Sequence, residues 1–329
     1  PGALQYGPYS EDASALVREG DKFWIGAGPS EGSDAGITVC DISLQDWRWY
    51  VPYYTRGLSS ARLTCAIGDE KVTWLGTDNG LVRFDNESGQ FSNYPNFTDF
   101  AITSVTALAT DSAWVYVGTD NGMGYVSRFH ESKHKKPRSK NTAKSETSSA
   151  PTDSANQSTP LPGKNRLQGW YIYCLKVIDN YLYVGTNRGV LRRLLGDYGD
   201  FTLVNTPKNM LSDDILDISQ LGDTLLFATK SEIILIDSKT GQSTSLTELA
   251  HFGQWHIRKI AADSAHVWVA TDAGLWMYRF SDGYKRLFTT GDGMISSDVR
   301  SLEIVGDYIW MATPKGVIRF LSNRSGRVD

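Results

Sequence analysis

Two histidines five residues apart, His251 and His256, flank Trp255, and a separate aromatic stretch holds Tyr53, Tyr54 and Arg56. Imidazole and phenol move protons, and a guanidinium stabilises developing negative charge, so these residues contain the parts of an acid–base site. They suit binding equally well. Aromatic rings stack on the apolar face of a pyranose while Arg bonds its hydroxyls, and Tyr, Trp and Arg dominate protein interfaces. Packing between structural units and capping of loops is the third account of the same side chains. The sequence contains no nucleophile elbow, phosphate loop or metal-binding pair beside them, so no catalytic residue, metal or cofactor is assigned. Asp292 and the Asp-Asn-Gly triplets read as turn formers.

The elements that must position these residues are repeats. An aromatic or large apolar residue, an apolar residue, Gly or Ala and usually Thr recur seven times, beginning at Trp24, Trp74, Tyr116, Tyr183, Leu226, Trp268 and Trp310. The small residues Gly185, Ala228, Ala270 and Ala312 are spaced by about 42 residues, the period of one four-stranded propeller blade. Each motif reads as the second strand of a blade. Short apolar runs before it, such as Val105 to Leu108 and Leu302 to Val305, read as inner strands. Asp78-Asn79-Gly80 and Asp120-Asn121-Gly122 predict tight turns into third strands, and more polar runs such as Tyr284 to Phe288 predict outer edges. In blade five Glu232 stands where the turn Gly would be, and in blade one the turn is replaced by a longer loop, Gly28 through Gly36. The expected fold is therefore all-β: a seven-bladed β-propeller of four-stranded antiparallel blades. Because the chain ends after the third strand of blade seven, residues 3–7 are expected to supply its outer strand, so that the N-terminal strand closes the ring.

These residues resemble the two-component regulator propeller repeats of bacterial sensor regions, and the resemblance covers nearly the whole chain. It is carried by Trp-x-Gly-Thr-x-x-Gly-Leu at Trp74 to Leu81 and by a second element, Gly57-Leu58-Ser59-Ser60, repeated as Met210-Leu211-Ser212-Asp213 and Met294-Ile295-Ser296-Ser297. The resemblance implies a recognition surface in the periplasm or outside the cell and no shared catalytic residues. On that basis the function expected is non-catalytic binding of a ligand or protein partner at the propeller face, as sensor or scaffold. The alternative is an enzyme similar to propeller polysaccharide lyases. Tyr53, Tyr54, Arg56, His251, Trp255 and His256 are the candidate ligand-binding residues, because loops between blades gather around the channel mouth.

Residues 130–164 depart from the repeat. A basic run with Lys133, Lys135, Lys136, Arg138 and Lys140 passes into a Ser/Thr-rich stretch with almost no large apolar side chains, too polar to offset its chain entropy. It reads as a flexible insertion that leaves blade three with three ordered strands, and alternatively as a contact to an anionic surface. The formal net charge of −4 gives no reason to expect nucleic acid. Cys40, Cys65 and Cys174 read as buried free thiols. The chain opens at Pro1 without an initiator Met or signal peptide, which reads as a mature form or as part of something longer.

Overall fold

The computed structural model describes residues 7–29, 35–94, 96–97, 100–101, 104–128, 167–197, 200–206, 210, 212–246 and 255–322. Blade one is β1 (Ala13–Glu19), β2 (Lys22–Ala27), β3 (Ile37–Asp41) and β4 (Trp47–Tyr50). Blade two is β5 (Leu63–Gly68), β6 (Val72–Thr77), β7 (Gly80–Asp85) and β8 (Gln90–Tyr94), followed by a short ribbon of β9 (Asn96–Phe97) and β10 (Phe100–Ala101). Blade three is β11 (Val105–Thr110), β12 (Trp114–Thr119) and β13 (Gly122–Ser127). Blade four is β14 (Ile172–Ile178), β15 (Tyr181–Thr186), β16 (Gly189–Leu194) and β17 (Thr202–Leu203). Blade five is β18 (Asp217–Leu221), β19 (Thr224–Ala228), β20 (Ile233–Asp237) and β21 (Ser243–Ser245). Blade six is β22 (Ile257–Ala262), β23 (His266–Thr271), β24 (Leu275–Arg279) and β25 (Lys285–Phe288), and blade seven is β26 (Ser301–Val305), β27 (Tyr308–Thr313) and β28 (Gly316–Leu321).

Within every blade the strands pair antiparallel in chain order. The seven inner strands β1, β5, β11, β14, β18, β22 and β26 each contact the next, and β26 returns to β1, so the ring is closed. Among the described residues, blades three and seven have three strands and the other five have four. Residues 3–6 of the expected closing strand lie outside the described residues. Gly7, which is described, accepts the Trp49 indole N–H at 3.0 Å beside blade one. The 130–164 insertion also lies outside the described residues.

The core is a set of wedges, one between each pair of neighbouring blades. Trp24, Leu63, Leu75 and Phe84 fill the wedge between blades one and two, and Phe23, Ile25, Trp310 and Ala312 fill the one that joins blade seven to blade one. Phe23 and Trp310 have ring centroids 4.6 Å apart. The small residue of the motif sits where the next blade's inner strand presses closest. A Cβ added at Gly118 would lie 2.6 Å from Ile172 Cγ2, and one at Gly76 would lie 2.6 Å from Val105 Cγ1. That contact, not turn geometry, is why the motif requires Gly or Ala.

A side chain at the entry to each inner strand ties its blade to the following one. The hydroxyl of Ser14 donates to Leu63 O, that of Thr64 to Val105 O and that of Thr106 to Ile172 O. Tyr173 faces Asp214 of the segment entering blade five, and the Asp217 carboxylate accepts Ile260 N–H of blade six at 2.9 Å. Arg258 pairs with Asp298 ahead of blade seven, and Arg300 pairs with Asp12 ahead of blade one. These bonds close the circle in polar chemistry as the wedges do in apolar packing.

Cys40 and Cys174 are buried and Cys65 is only partly so; all are free. Burial pushes the Cys40 and Cys65 thiols up to about 12, so neither is a thiolate nucleophile at neutral pH.

Candidate functional site

The turns between second and third strands and the segments between blades lie at one end of the ring. Six of these turns are held by the Thr that ends the second strand. Thr77 Oγ1 donates to Gly80 O at 2.8 Å and accepts Asn79 N–H at 3.2 Å. The same pair of bonds recurs at Thr119, Thr186, Thr229, Thr271 and Thr313. A Thr hydroxyl that serves as donor and acceptor at once locks the turn, and so fixes the side chains displayed on it.

Those turns meet the inter-blade segments in a series of ion pairs around the mouth. Lys230 Nζ lies 2.9 Å from Asp214 Oδ2, Arg62 is 3.6 Å from Asp78, and Arg258 is 2.7 Å from Asp298 Oδ1. Arg300 reaches both Asp12 and Asp298. His256 donates its backbone N–H to Asp272 Oδ1 at 2.9 Å, and its ring Nδ1 lies 2.7 Å from Asp272 Oδ2. Burial opposes the charge of Asp272, but the His256 bonds together with Arg258 outweigh it and hold the carboxyl below its usual range. Burial and the Asp214 charge raise the Tyr173 phenol, and its ring lies 4.5 Å from that of Tyr171. The mouth thus combines two adjacent phenols with four cations, Arg62, Lys230, Arg258 and Arg300, that each face a carboxylate, and with Arg188, which lies over the Trp170 ring.

The candidate residues from the sequence divide into two groups on opposite sides of the ring. Tyr53 and Tyr54 stand in the loop between blades one and two, 84% and 82% exposed, with their rings edge-to-face at 4.9 Å. Arg56 follows in the same loop and is exposed. Trp255 packs against the wedge between blades five and six, and His256 is bound to Asp272. His251 lies outside the described residues, as do Lys133, Lys135, Lys136, Arg138 and Lys140. The imidazole fixed by a carboxylate has the positioning half of an acid–base pair, with Nε2 left as the available nitrogen. Sequence reading missed Arg258, Arg300, Asp298, Asp214, Lys230, Tyr171 and Tyr173. A signal was present for the arginines, since Arg258 and Arg300 occupy the same position of successive repeats.

Among the described residues no group of three or more His, Cys, Asp or Glu is placed to hold a metal ion, and no helix is long and apolar enough to cross a membrane.

No protein-family model matches the sequence, and no curated protein matches it. Solved structures match its fold. The extracellular domain of the one-component system BT4673 from B. thetaiotaomicron aligns with TM-score 0.65 and 20% identity, over 95% of this chain and 39% of that one. A second structure, the extracellular domain of the hybrid two-component system BT4673, aligns with TM-score 0.70 and 17% identity, over 100% of this chain and 44% of that one. PorZ, a surface component of the type-IX secretion system of Porphyromonas gingivalis, aligns with TM-score 0.62 and 10% identity, over 98% of this chain and 38% of that one. The chain spans about two fifths of the length of each. At these identities the likeness is one of fold, and two of the three carry that fold in regulators of the class its repeats resemble.

Proposed function

We propose that this chain is an extracytoplasmic recognition module of the two-component regulator propeller kind, binding an uncharged, hydroxyl-rich ligand such as an oligosaccharide at the mouth. The observation that carries this reading is the pairing of charges there. Arg62, Lys230, Arg258 and Arg300 each face a carboxylate, so these pairs offer alternating donors and acceptors around the mouth. A polyanion would meet the carboxylates as well as the cations, whereas a sugar hydroxyl donates to one and accepts from the other. Tyr171 and Tyr173 add the aromatic faces on which a pyranose stacks. The extracellular regulator domains that share the fold support the sensing role and the location outside the cytoplasm.

A second reading is favoured by Tyr53 and Tyr54. Two exposed, mutually packed phenols on one loop are the composition of a protein-binding hot spot, which makes the module a scaffold.

Thermal-shift titration with neutral and acidic oligosaccharides separates the two readings. A neutral oligosaccharide at about a hundred times its dissociation constant adds about 2.7 kcal/mol and raises Tm. That rise is lost in Tyr171→Ala and His256→Ala and kept in Tyr53→Ala. A response to acidic oligosaccharides alone, or none to any, overturns the sugar reading, and the second outcome leaves the protein partner.

A further inference from the structure

In blades two and three the residue before the turn glycine serves the turn itself. Asn79 Nδ2 donates to Ser59 O at 3.2 Å, and Asn121 Oδ1 accepts the Gly169 N–H at 2.8 Å, so each ties its turn to an inter-blade segment. In blade four that tie is made one residue earlier. Asn187 Oδ1 accepts the Tyr171 N–H at 3.1 Å, and the Asn187 N–H donates to Tyr171 O at 3.1 Å. Arg188, which holds the position of Asn79 and Asn121, is thereby released from the turn.

The released side chain is exposed and lies over Trp170, with Cζ 4.9 Å from the ring centroid. Both halves of this stack are held. Trp170 packs against the wedge between blades three and four, and Thr186 Oγ1 accepts the Arg188 backbone N–H at 3.0 Å. Among the described residues no carboxylate pairs with Arg188, in contrast to Arg62, Lys230, Arg258 and Arg300. A guanidinium laid flat on a ring keeps its N–H groups at the edge, in a fork that matches a carboxylate bidentately. Beside it stands Tyr171, 36% exposed, whose phenol is pushed up by burial and by the charge of Asp120 and so keeps its proton.

We infer that Trp170, Arg188 and Tyr171 form a carboxylate subsite on the blade-four side of the mouth, taking the uronate residue of an otherwise neutral sugar chain. The assignment rests on the reading of the mouth as a sugar site and adds one charge to its ligand. The uronate carboxylate takes the fork of Arg188, and the pyranose face lies on the Tyr171 ring. One acid group is also the limit. A second, farther round the mouth, meets Asp214, Asp272 or Asp298.

The test uses the ¹⁵N-indole spectrum of the full chain, with the Trp170 resonance assigned by its loss in Trp170→Phe. Titration with methyl β-glucuronide shifts that resonance, while methyl β-glucoside and acetate leave it in place. Arg188→Gln keeps the resonance and weakens glucuronide binding about tenfold, the loss expected for one charge-assisted contact. Arg188→Lys, which keeps the charge without the fork, falls between the two. An unmoved resonance with the glucuronide, an equal shift with the glucoside or with acetate, or an unchanged response in Arg188→Gln overturns the assignment. Failure of the sugar reading shows in a different measurement, as the absence of a Tm rise with neutral oligosaccharides, so the two failures are told apart.

Discussion

The carboxylate of Asp217 accepts two backbone N–H groups at 2.9 Å, one from Ile218 on its own strand and one from Ile260 on the next blade. Asp217 is buried, and it takes over at blade five the inter-blade bond that hydroxyls make in blades one to three. Asp217→Ala strands both donors and lowers stability by about 2–4 kcal/mol. Asp217→Asn retains a carbonyl acceptor and lowers it by about half as much. Chemical denaturation of both variants checks the order, and equal midpoints would show that the carboxylate does not bind both amides.

Arg300 and Asp12 join the last blade to the first across almost the whole chain, and Asp12 is buried. Arg300→Met takes the guanidinium away from a buried carboxylate and costs about 3–5 kcal/mol. Adding Asp12→Asn to that variant recovers much of the loss. A double-mutant cycle measured by denaturation gives the coupling, and strict additivity would mean that ring closure does not pass through this pair.

Gly118→Val tests the crowding between blades three and four. Val favours a strand, so propensity alone would predict a gain. The Cβ contact with Ile172 predicts a loss of about 1–3 kcal/mol instead, read as a lower Tm.

Asp263 gives a pH signature. Burial raises its carboxyl, but the bonds from Ala265 N–H, the Trp268 indole and His266 N–H prevail and hold it below the usual range. A carboxylate with a depressed folded pKa contributes stability above its unfolded value, near 3.9 for Asp, and loses that contribution as pH falls through the folded value. Asp263→Asn is therefore less stable than the parent at neutral pH and approaches it in acid. Tm measured from neutral pH down through about pH 3 shows the two curves converging.

Much of the scaffold was readable in advance because its determinants are local. Alternating apolar residues and the crowded Gly or Ala marked the second strands, and Asp-Asn-Gly marked turns such as the one in which Thr77 pairs with Gly80. The Thr of the motif was visible as a letter but not as a lock, because its bonds appear only once the turn has closed. The mouth was harder still. Arg300 meets Asp12 at a separation of 288 residues, and no local pattern states which blade completes the circle. Tyr53 and Tyr54 stand out in the sequence because loop aromatics are conspicuous, whereas Arg258 and Asp298 resemble ordinary surface charges until the ring aligns them.

The hydroxyl ties at the entry to the inner strands run in a single sense: in blades one to three the side chain lies on the earlier blade while the later one supplies a main-chain carbonyl. Every residue type has that carbonyl. For this bond, a gene segment encoding one such blade carries its own attachment and asks for no particular residue type in the sequence that follows it. As far as these ties go, duplication, loss or exchange of whole blades is chemically undemanding in this part of the ring. It becomes selective at the seam between Arg300 and Asp12, where both partners must be kept together.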